Sequence, residues 1–120
     1  MSDLLWSDAE EDFEGFANSP RGAGVIFGKD ISKRFNEVNN LLYISRGHQS
    51  VLDGYKWNHN KNICTIFSAP NFLYRPNLAA IMELNENLES EFQTFYPAPV
   101  PLKKGQTIIS KRPPDYFLNV

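Results

Sequence analysis

The sequence predicts a small α+β domain with one main helix and mostly antiparallel strands. The chain has 120 residues, which is the usual size of a single domain. Its hydrophobic and charged fractions, 42% and 22%, are those of a chain that folds around a core rather than of a disordered segment. Over 30–39 the apolar residues show a helical period, and from Leu41 onward they follow the period of strands.

The amino-terminal region predicts a short buried strand followed by loops. Leu4, Leu5 and Trp6 form an apolar triplet, which we interpret as the strand. An acidic loop over 8–14 comes next. The stretch 18–24, Asn-Ser-Pro-Arg-Gly-Ala-Gly, is dense in turn residues, and its two glycines allow a positive φ and a close approach of the backbone.

One helix is predicted over 30–39. Ile31, Phe35 and Val38 recur at the spacing of a single helical face. Asp30 stands in front of them as a candidate N-cap residue, and the two asparagines that follow the stripe mark the end of the helix.

The following segments predict strands that pair largely as hairpins. Each has the alternating apolar composition of a strand. The predicted strands are 41–45, 51–57, 63–68, 78–84 and 88–96. Asn-rich turns at 58–62 and 85–87 join the second strand to the third and the fourth to the fifth. After Tyr96 five prolines favour extended backbone, so we predict a domain over 1–96 and a Pro-rich tail over 97–120.

Charge and cysteine content narrow the class of function. The formal net charge of -2 does not supply the positive field that non-specific binding to nucleic acid or a membrane surface needs, so neither partner is expected. The single cysteine, Cys64, cannot form an internal disulfide, and its place in a strand indicates a buried, unreactive thiol. Since no signal-peptide pattern begins the sequence, we expect a cytoplasmic protein, with the nucleus as a second location.

The two histidines of the chain, His48 and His59, lie in different kinds of segment. His48 follows the strand 41–45 within Ser-Arg-Gly-His-Gln, a junction where metal ligands and general bases are often placed. Taken alone, a histidine after a strand is more often an ordinary hydrogen-bonded residue than a metal ligand. His59 lies in the turn 58–62, where exposure to solvent is expected.

Two loops contain candidate binding residues. Arg21 precedes a glycine-bracketed turn, which suits recognition of a phosphate, and pairing with the acidic segment 8–14 is the alternative. A second loop exposes polar, aromatic and basic groups that could line a substrate groove or cover the sheet edge. Its candidates are Asn71, Phe72, Tyr74 and Arg75.

Several short strings, taken in order, resemble those of the phosphoprotein phosphatases, and within that family the type 2A catalytic subunits. The resemblance covers essentially the whole chain. Its strings are Leu-Leu-Trp-Ser-Asp at 4–8, Ser-Pro-Arg-Gly-Ala-Gly at 19–24, Phe-Gly at 27–28, Ser-Arg-Gly-His-Gln at 45–49, Thr-Ile-Phe-Ser-Ala-Pro-Asn at 65–71 and Pro-Asp-Tyr-Phe-Leu at 114–118.

The resemblance implies a serine/threonine protein phosphatase that hydrolyses phosphomonoesters of phosphoproteins. It implies a calcineurin-like β-sandwich with two divalent metal ions, Mn²⁺ or Fe and Zn, that activate a water. His48 is similar to a metal-ligand histidine of the family, and Arg21 to the arginine that grips phosphate oxygens. Phe72 stands where the family usually has a tyrosine, so the aromatic wall is kept and the hydroxyl is lost.

Other motifs of the family do not occur in these 120 residues. The remaining metal ligands, a second arginine and the acid histidine come from GDxHG, GDxVDRG and GNHE strings, none of which is found here. We therefore expect the chain to correspond to the C-terminal part of a phosphatase catalytic domain and to be inactive alone. The alternative is a non-catalytic, phosphatase-like interaction protein.

The resemblance also implies partners for the tail. In the type 2A group such a tail binds scaffold and regulatory subunits, and its terminal leucine carboxylate is methylated. Here Tyr116, Phe117 and Leu118 keep the apolar anchors, but two residues follow Leu118, and Pro113 replaces a threonine. We expect docking of this tail that does not depend on methylation.

Overall fold

The structure is a computed structural model that describes residues 1–99. Nearly all of the predicted tail, including Tyr116, Phe117 and Leu118, therefore lies outside the described residues. Residues 96–99 have no regular secondary structure.

Within this range the chain forms an α+β fold of short elements, as predicted. The elements are α1 (Ser2–Trp6), β1 (Asp8–Ala9), β2 (Phe16–Asn18), β3 (Val25–Phe27), α2 (Lys29–Asn39), β4 (Ile44–Arg46), β5 (Tyr55–Asn58), β6 (Ile63–Ile66), a 3-10 helix (Phe72–Tyr74), β7 (Ala79–Leu84) and β8 (Ser90–Phe95). The strands make three small sheets, with the orders β1-β3-β2, β4-β6-β5 and β7-β8. Neither α-helix of the described part has the length and apolarity needed to cross a membrane.

The predicted helix is confirmed as α2, but Asp30 is not its cap. The N-cap is Gly28, which has extended backbone and makes no side-chain cap. The Asp30 carboxylate instead accepts a hydrogen bond from the Gly15 N–H at 2.9 Å, so it fixes the loop that leads into β2. At the other end Asn40 adopts the left-handed conformation that ends many helices.

The predicted buried strand at the amino terminus is wrong. Leu4, Leu5 and Trp6 lie in α1 with 77%, 61% and 46% exposure. A triplet is too short to distinguish a helical from a strand period, and leucine favours helices. The strand begins after it, at Asp8, and pairs in parallel with β3.

Both predicted hairpins are confirmed, with shorter strands. β5 pairs with β6 in antiparallel orientation, placing Trp57 opposite Cys64. β7 pairs with β8 in the same way. The strand predicted over 41–45 begins only at Ile44, and its first residues, Leu41 and Leu42, are exposed. A run of apolar residues marks a strand but does not locate its first hydrogen bond.

The buried apolar centre lies where β6 meets β7. Ile63, Cys64, Ala79 and Ala80 are all fully buried. The predicted buried thiol is thereby confirmed, and burial raises the pKa of Cys64 to about 11. β6 also pairs in parallel with β4, so the loops that follow these two strands leave the same edge of the sheet.

The predicted exposure of His59 is wrong, because its ring is fully buried. His59, Asn60 and Lys61 all have a positive φ, and this tight left-handed turn directs the imidazole inward. Nε2 lies 2.9 Å from the Glu10 carbonyl oxygen, which can only accept, so Nε2 carries the proton. Nδ1 lies 2.7 Å from the Ser32 hydroxyl oxygen, so both ring nitrogens have a hydrogen-bond partner.

Candidate active site

Arg21 is tied to β1 by an ion pair. Its Nε–H donates to Oδ2 of Asp8 at 2.6 Å, and the two side chains are only 15% and 14% exposed. The pairing of Arg21 with the acidic segment, one of the two sequence interpretations, is thus present. It occupies one edge of the guanidinium and does not exclude the other interpretation, recognition of a phosphate.

The turn that holds Arg21 depends on its glycines, as predicted. Gly22 and Gly24 both have a positive φ. A Cβ at Gly24 would lie 2.6 Å from the carbonyl carbon of Trp6, so only glycine allows the turn to pack against the backbone in front of β1. The Ser7 hydroxyl then accepts from the Val25 N–H at 3.0 Å, which joins the turn to β1.

Arg46 is a second cation at this site, with a side chain only 13% exposed, and no sequence pattern singled it out. Its Nη2 lies 3.7 Å from Oδ1 of Asp8, and its Nη1 donates to Oε1 of Gln49 at 2.9 Å. Oε1 of Gln49 also accepts from the Ala9 N–H at 3.3 Å, which closes a ring back to β1. The signal available in the sequence was the position of Arg46 at the end of a strand, two residues before His48.

His48 leaves β4 beside these charges. It has a φ of 76°, in the left-handed region, and its ring meets Trp6 edge-on at a centroid distance of 5.3 Å. Partial burial lowers the pKa of His48 below its ordinary value of 6.5; the charges of Arg21 and Arg46 lower it further, and Asp8 opposes them. The imidazole is therefore neutral at neutral pH, with a ring nitrogen lone pair able to act as a ligand.

The predicted substrate-groove residues lie on the loop after β6, around the 3-10 helix. Asn71 and Arg75 are exposed, and Phe72 packs edge-on against Phe67 at 5.3 Å. Buried Asn77 orders this loop, since its side chain accepts from the Phe72 N–H at 2.8 Å and donates to two carbonyl oxygens. Because β4 and β6 are parallel neighbours, this loop and the one bearing His48 share a sheet edge.

The described residues alone do not assemble a metal centre. Among residues 1–99 no three His, Cys, Asp or Glu side chains are grouped closely enough to hold an ion. Asp8, the carboxylate nearest the candidate residues, is engaged by two arginines. A dinuclear centre needs several imidazole and oxygen ligands. His48 can supply one of them, and the rest of the set is not among these residues.

Comparison with known proteins identifies the class of fold. No protein-family profile matches the sequence. Among solved structures, the chain is similar to a protein serine/threonine phosphatase from Saccharomyces cerevisiae with similarity to human phosphatase PP5, with a TM-score of 0.72 and 30% identity over 82% of this chain. The match spans 34% of the yeast chain. The described residues therefore have the fold of part of a serine/threonine phosphatase domain.

This similarity supports the fold of a serine/threonine phosphatase. It does not discriminate between the type 2A group and others, so the finer assignment made from the sequence stays a prediction. The roles of Arg21, His48 and the groove residues likewise rest on the sequence resemblance and on their geometry.

Proposed function

We propose that this chain is the C-terminal part of the catalytic domain of a type 2A-like serine/threonine protein phosphatase, acting on phosphoproteins in the cytoplasm or nucleus. The observation that carries the proposal is one juxtaposition. The sequence resemblance assigns Arg21 to phosphate and His48 to metal. Segment 6–8 contacts both, since Asp8 pairs with Arg21 and Trp6 packs against His48, in a fold similar to a phosphatase.

Arg21 would hold the phosphoryl group of the substrate. Asp8 takes the Nε–H, so the two terminal Nη groups at the far edge of the guanidinium remain for a bidentate contact with phosphate oxygens. The limited exposure of the side chain keeps it in one place and weakens solvent screening.

His48 would be the single metal ligand contributed by this chain, since it is neutral and held by Trp6. In the proposed enzyme two divalent ions, Mn²⁺ or Fe and Zn, supply an activated water when bound. The other ligands would come from a part that corresponds to the unmatched portion of the yeast chain, of which the match spans 34%.

The surface of the chain is consistent with a domain that continues beyond these residues. Many large apolar side chains are exposed on α1, on α2 and on the segments that flank β4. They include Leu4, Leu5, Val38, Leu42 and Leu52, each at least 61% exposed. So much exposed apolar surface is typical of a face that another part of a protein covers.

A chimera tests this proposal. The matched third of the yeast phosphatase is replaced by this chain, and hydrolysis of a phosphopeptide is measured. We expect turnover by the chimera, none by the 120-residue chain alone, and loss of activity in His48→Ala. Arg34→Ala, which removes an exposed arginine of α2, serves as the control. A folded chimera with no activity, or one indifferent to His48→Ala, would contradict the proposal.

A non-catalytic role is the second candidate, favoured by the lack of a three-residue ligand group within residues 1–99. In this role the chain would bind scaffold or regulatory subunits through Tyr116, Phe117 and Leu118. The test is a binding assay in which residues 113–120 are deleted. Unchanged affinity for such a subunit would exclude tail docking, and an active chimera would exclude a purely non-catalytic role.

A further inference from the structure

Among residues 1–99, Asp8 is the one carboxylate that pairs with both Arg21 and Arg46. Oδ2 accepts from Arg21 Nε at 2.6 Å, and Oδ1 lies 3.7 Å from Arg46 Nη2. All three side chains are 13% to 15% exposed. Oδ1 and Nη2 are buried, and neither has a hydrogen-bond partner among the described residues. The carboxylate is thus fixed between two cations rather than exposed to solvent.

The geometry of the first contact determines what Arg21 can do. A guanidinium offers the Nε–H edge and, away from it, the fork of its two Nη groups. Because Asp8 binds Nε, it fixes the direction of that fork without occupying it. A carboxylate bound across both Nη groups would instead have blocked the fork from an anion.

The second contact reaches the loop of His48. Arg46 and Gln49 flank His48 in the chain, and they are hydrogen-bonded to each other at 2.9 Å. Gln49 is bonded in turn to the Ala9 N–H, next to Asp8. Segment 6–9 therefore contacts this loop at three points. Trp6 packs against His48, Asp8 forms an ion pair with Arg46, and the Ala9 N–H donates to Gln49.

We propose that Asp8 is a positioning residue of the site, which aims the Nη fork of Arg21 and, through Arg46 and Gln49, sets the loop that carries His48. This inference rests on the proposed function, in which Arg21 binds phosphate and His48 binds metal. The inference adds a residue that connects Arg21 with the loop of His48 and that itself contacts neither phosphate nor metal.

Positioning and simple charge neutralisation predict different results for Asp8 variants. If Asp8 only neutralises the arginines, Asp8→Glu changes nothing, and Asp8→Asn strengthens anion binding by removing a negative charge. If Asp8 positions Arg21, moving the carboxylate by one methylene in Asp8→Glu is already harmful, although the charge is kept. Asp53→Asn is the matched control, because Asp53 is an exposed carboxylate.

The test uses the full 120-residue chain labelled with ¹⁵N-arginine, with inorganic phosphate as the probe. We expect the Arg21 Nε–H signal to exchange slowly in the native chain and to resemble that of exposed Arg34 in both Asp8 variants. Phosphate affinity should fall by roughly tenfold in Asp8→Glu, as for loss of a hydrogen bond between charged groups. Unchanged signal and affinity in Asp8→Glu would overturn the proposal.

Two further outcomes separate this inference from the proposed function. If the native chain binds no phosphate while the Arg21 signal still collapses in Asp8→Glu, positioning by Asp8 stands and the phosphate role of Arg21 fails. Gln49→Met tests the connection through Arg46 and Gln49 to the His48 loop, and it leaves Asp8 unchanged. This variant should shift the His48 ring resonances and leave the Arg21 signal in place. Unchanged His48 resonances would overturn the proposed connection to the loop that carries His48.

Discussion

Two polar clusters of this chain are built in opposite ways. Around His59 both ring nitrogens and the backbone N–H have partners, the last being the Glu11 carboxylate at 2.9 Å. Around Asp8, one carboxylate oxygen and one nitrogen of Arg46 are buried without a hydrogen-bond partner among the described residues. A network in which every group is hydrogen-bonded stabilises one arrangement of the interior, whereas Asp8 Oδ1 and Arg46 Nη2 face each other at 3.7 Å without a hydrogen bond. The contrast separates the histidine that holds the structure together from the residues proposed to act.

The largest expected effect is on stability, at His59. His59→Ala leaves a cavity and removes the partners of Ser32 and of the Glu10 carbonyl, so the free energy of unfolding should fall by about 3 kcal/mol. Urea denaturation of the full chain measures it. His48→Ala is the matched control, and we expect a change within about 1 kcal/mol because that ring is exposed. If His59→Ala and His48→Ala lowered the free energy of unfolding equally, the two histidines would not differ in structural role.

The next effect is on recognition, at Arg21. In the phosphatase chimera Arg21→Ala should lower kcat/KM by roughly ten- to a hundredfold, the range for losing a hydrogen bond to a charged group. Arg34→Ala should leave kcat/KM unchanged, since Arg34 lies exposed on α2. If both variants behave alike, Arg21 does not bind phosphate.

The smallest effect is a shift in the titration of His48. Because burial and the two arginines lower its pKa, an NMR titration should give a midpoint below 6.5, and Asp8→Asn should lower it further by removing the one charge that opposes the shift. The unfolded chain then binds the proton more readily, so the free energy of unfolding declines as pH falls from 6.5 through the native midpoint. A midpoint above 6.5 would show that Asp8 outweighs both arginines.

Local patterns in the sequence were sufficient for several elements. The stripe of Ile31, Phe35 and Val38 predicted α2, and the Asn-rich turns predicted both hairpins. The glycines of the turn after Arg21 predicted its positive φ angles. In each case the determining contacts lie within a few residues, so composition and spacing record them directly.

The error at His59 came from distance along the chain. His59 sits in a turn of exposed composition, but its burial depends on Ser32 and Glu10, which are 27 and 49 residues away. The apolar triplet in α1 was wrongly predicted as a strand for a local reason, since three residues are too few to show a period. Asp8 was read as one of several acidic residues, because nothing local distinguishes it from Glu10 or Asp12.

The sequence by itself determined the α+β class, α2, the two hairpins, the buried thiol and the positions of Arg21 and His48 in motifs. Only the tertiary structure decided that Asp8 binds Arg21, that Arg46 joins them and that His59 is part of the interior. The physical reason is that helices and turns arise from bonds between near neighbours, whereas the pairing of a buried charge depends on which strands come together. Here β1 pairs in parallel with β3, and β4 with β6, and a hydrogen bond between the Ala9 N–H and Gln49 joins the two sheets. This arrangement brings Asp8 next to Arg21 and Arg46.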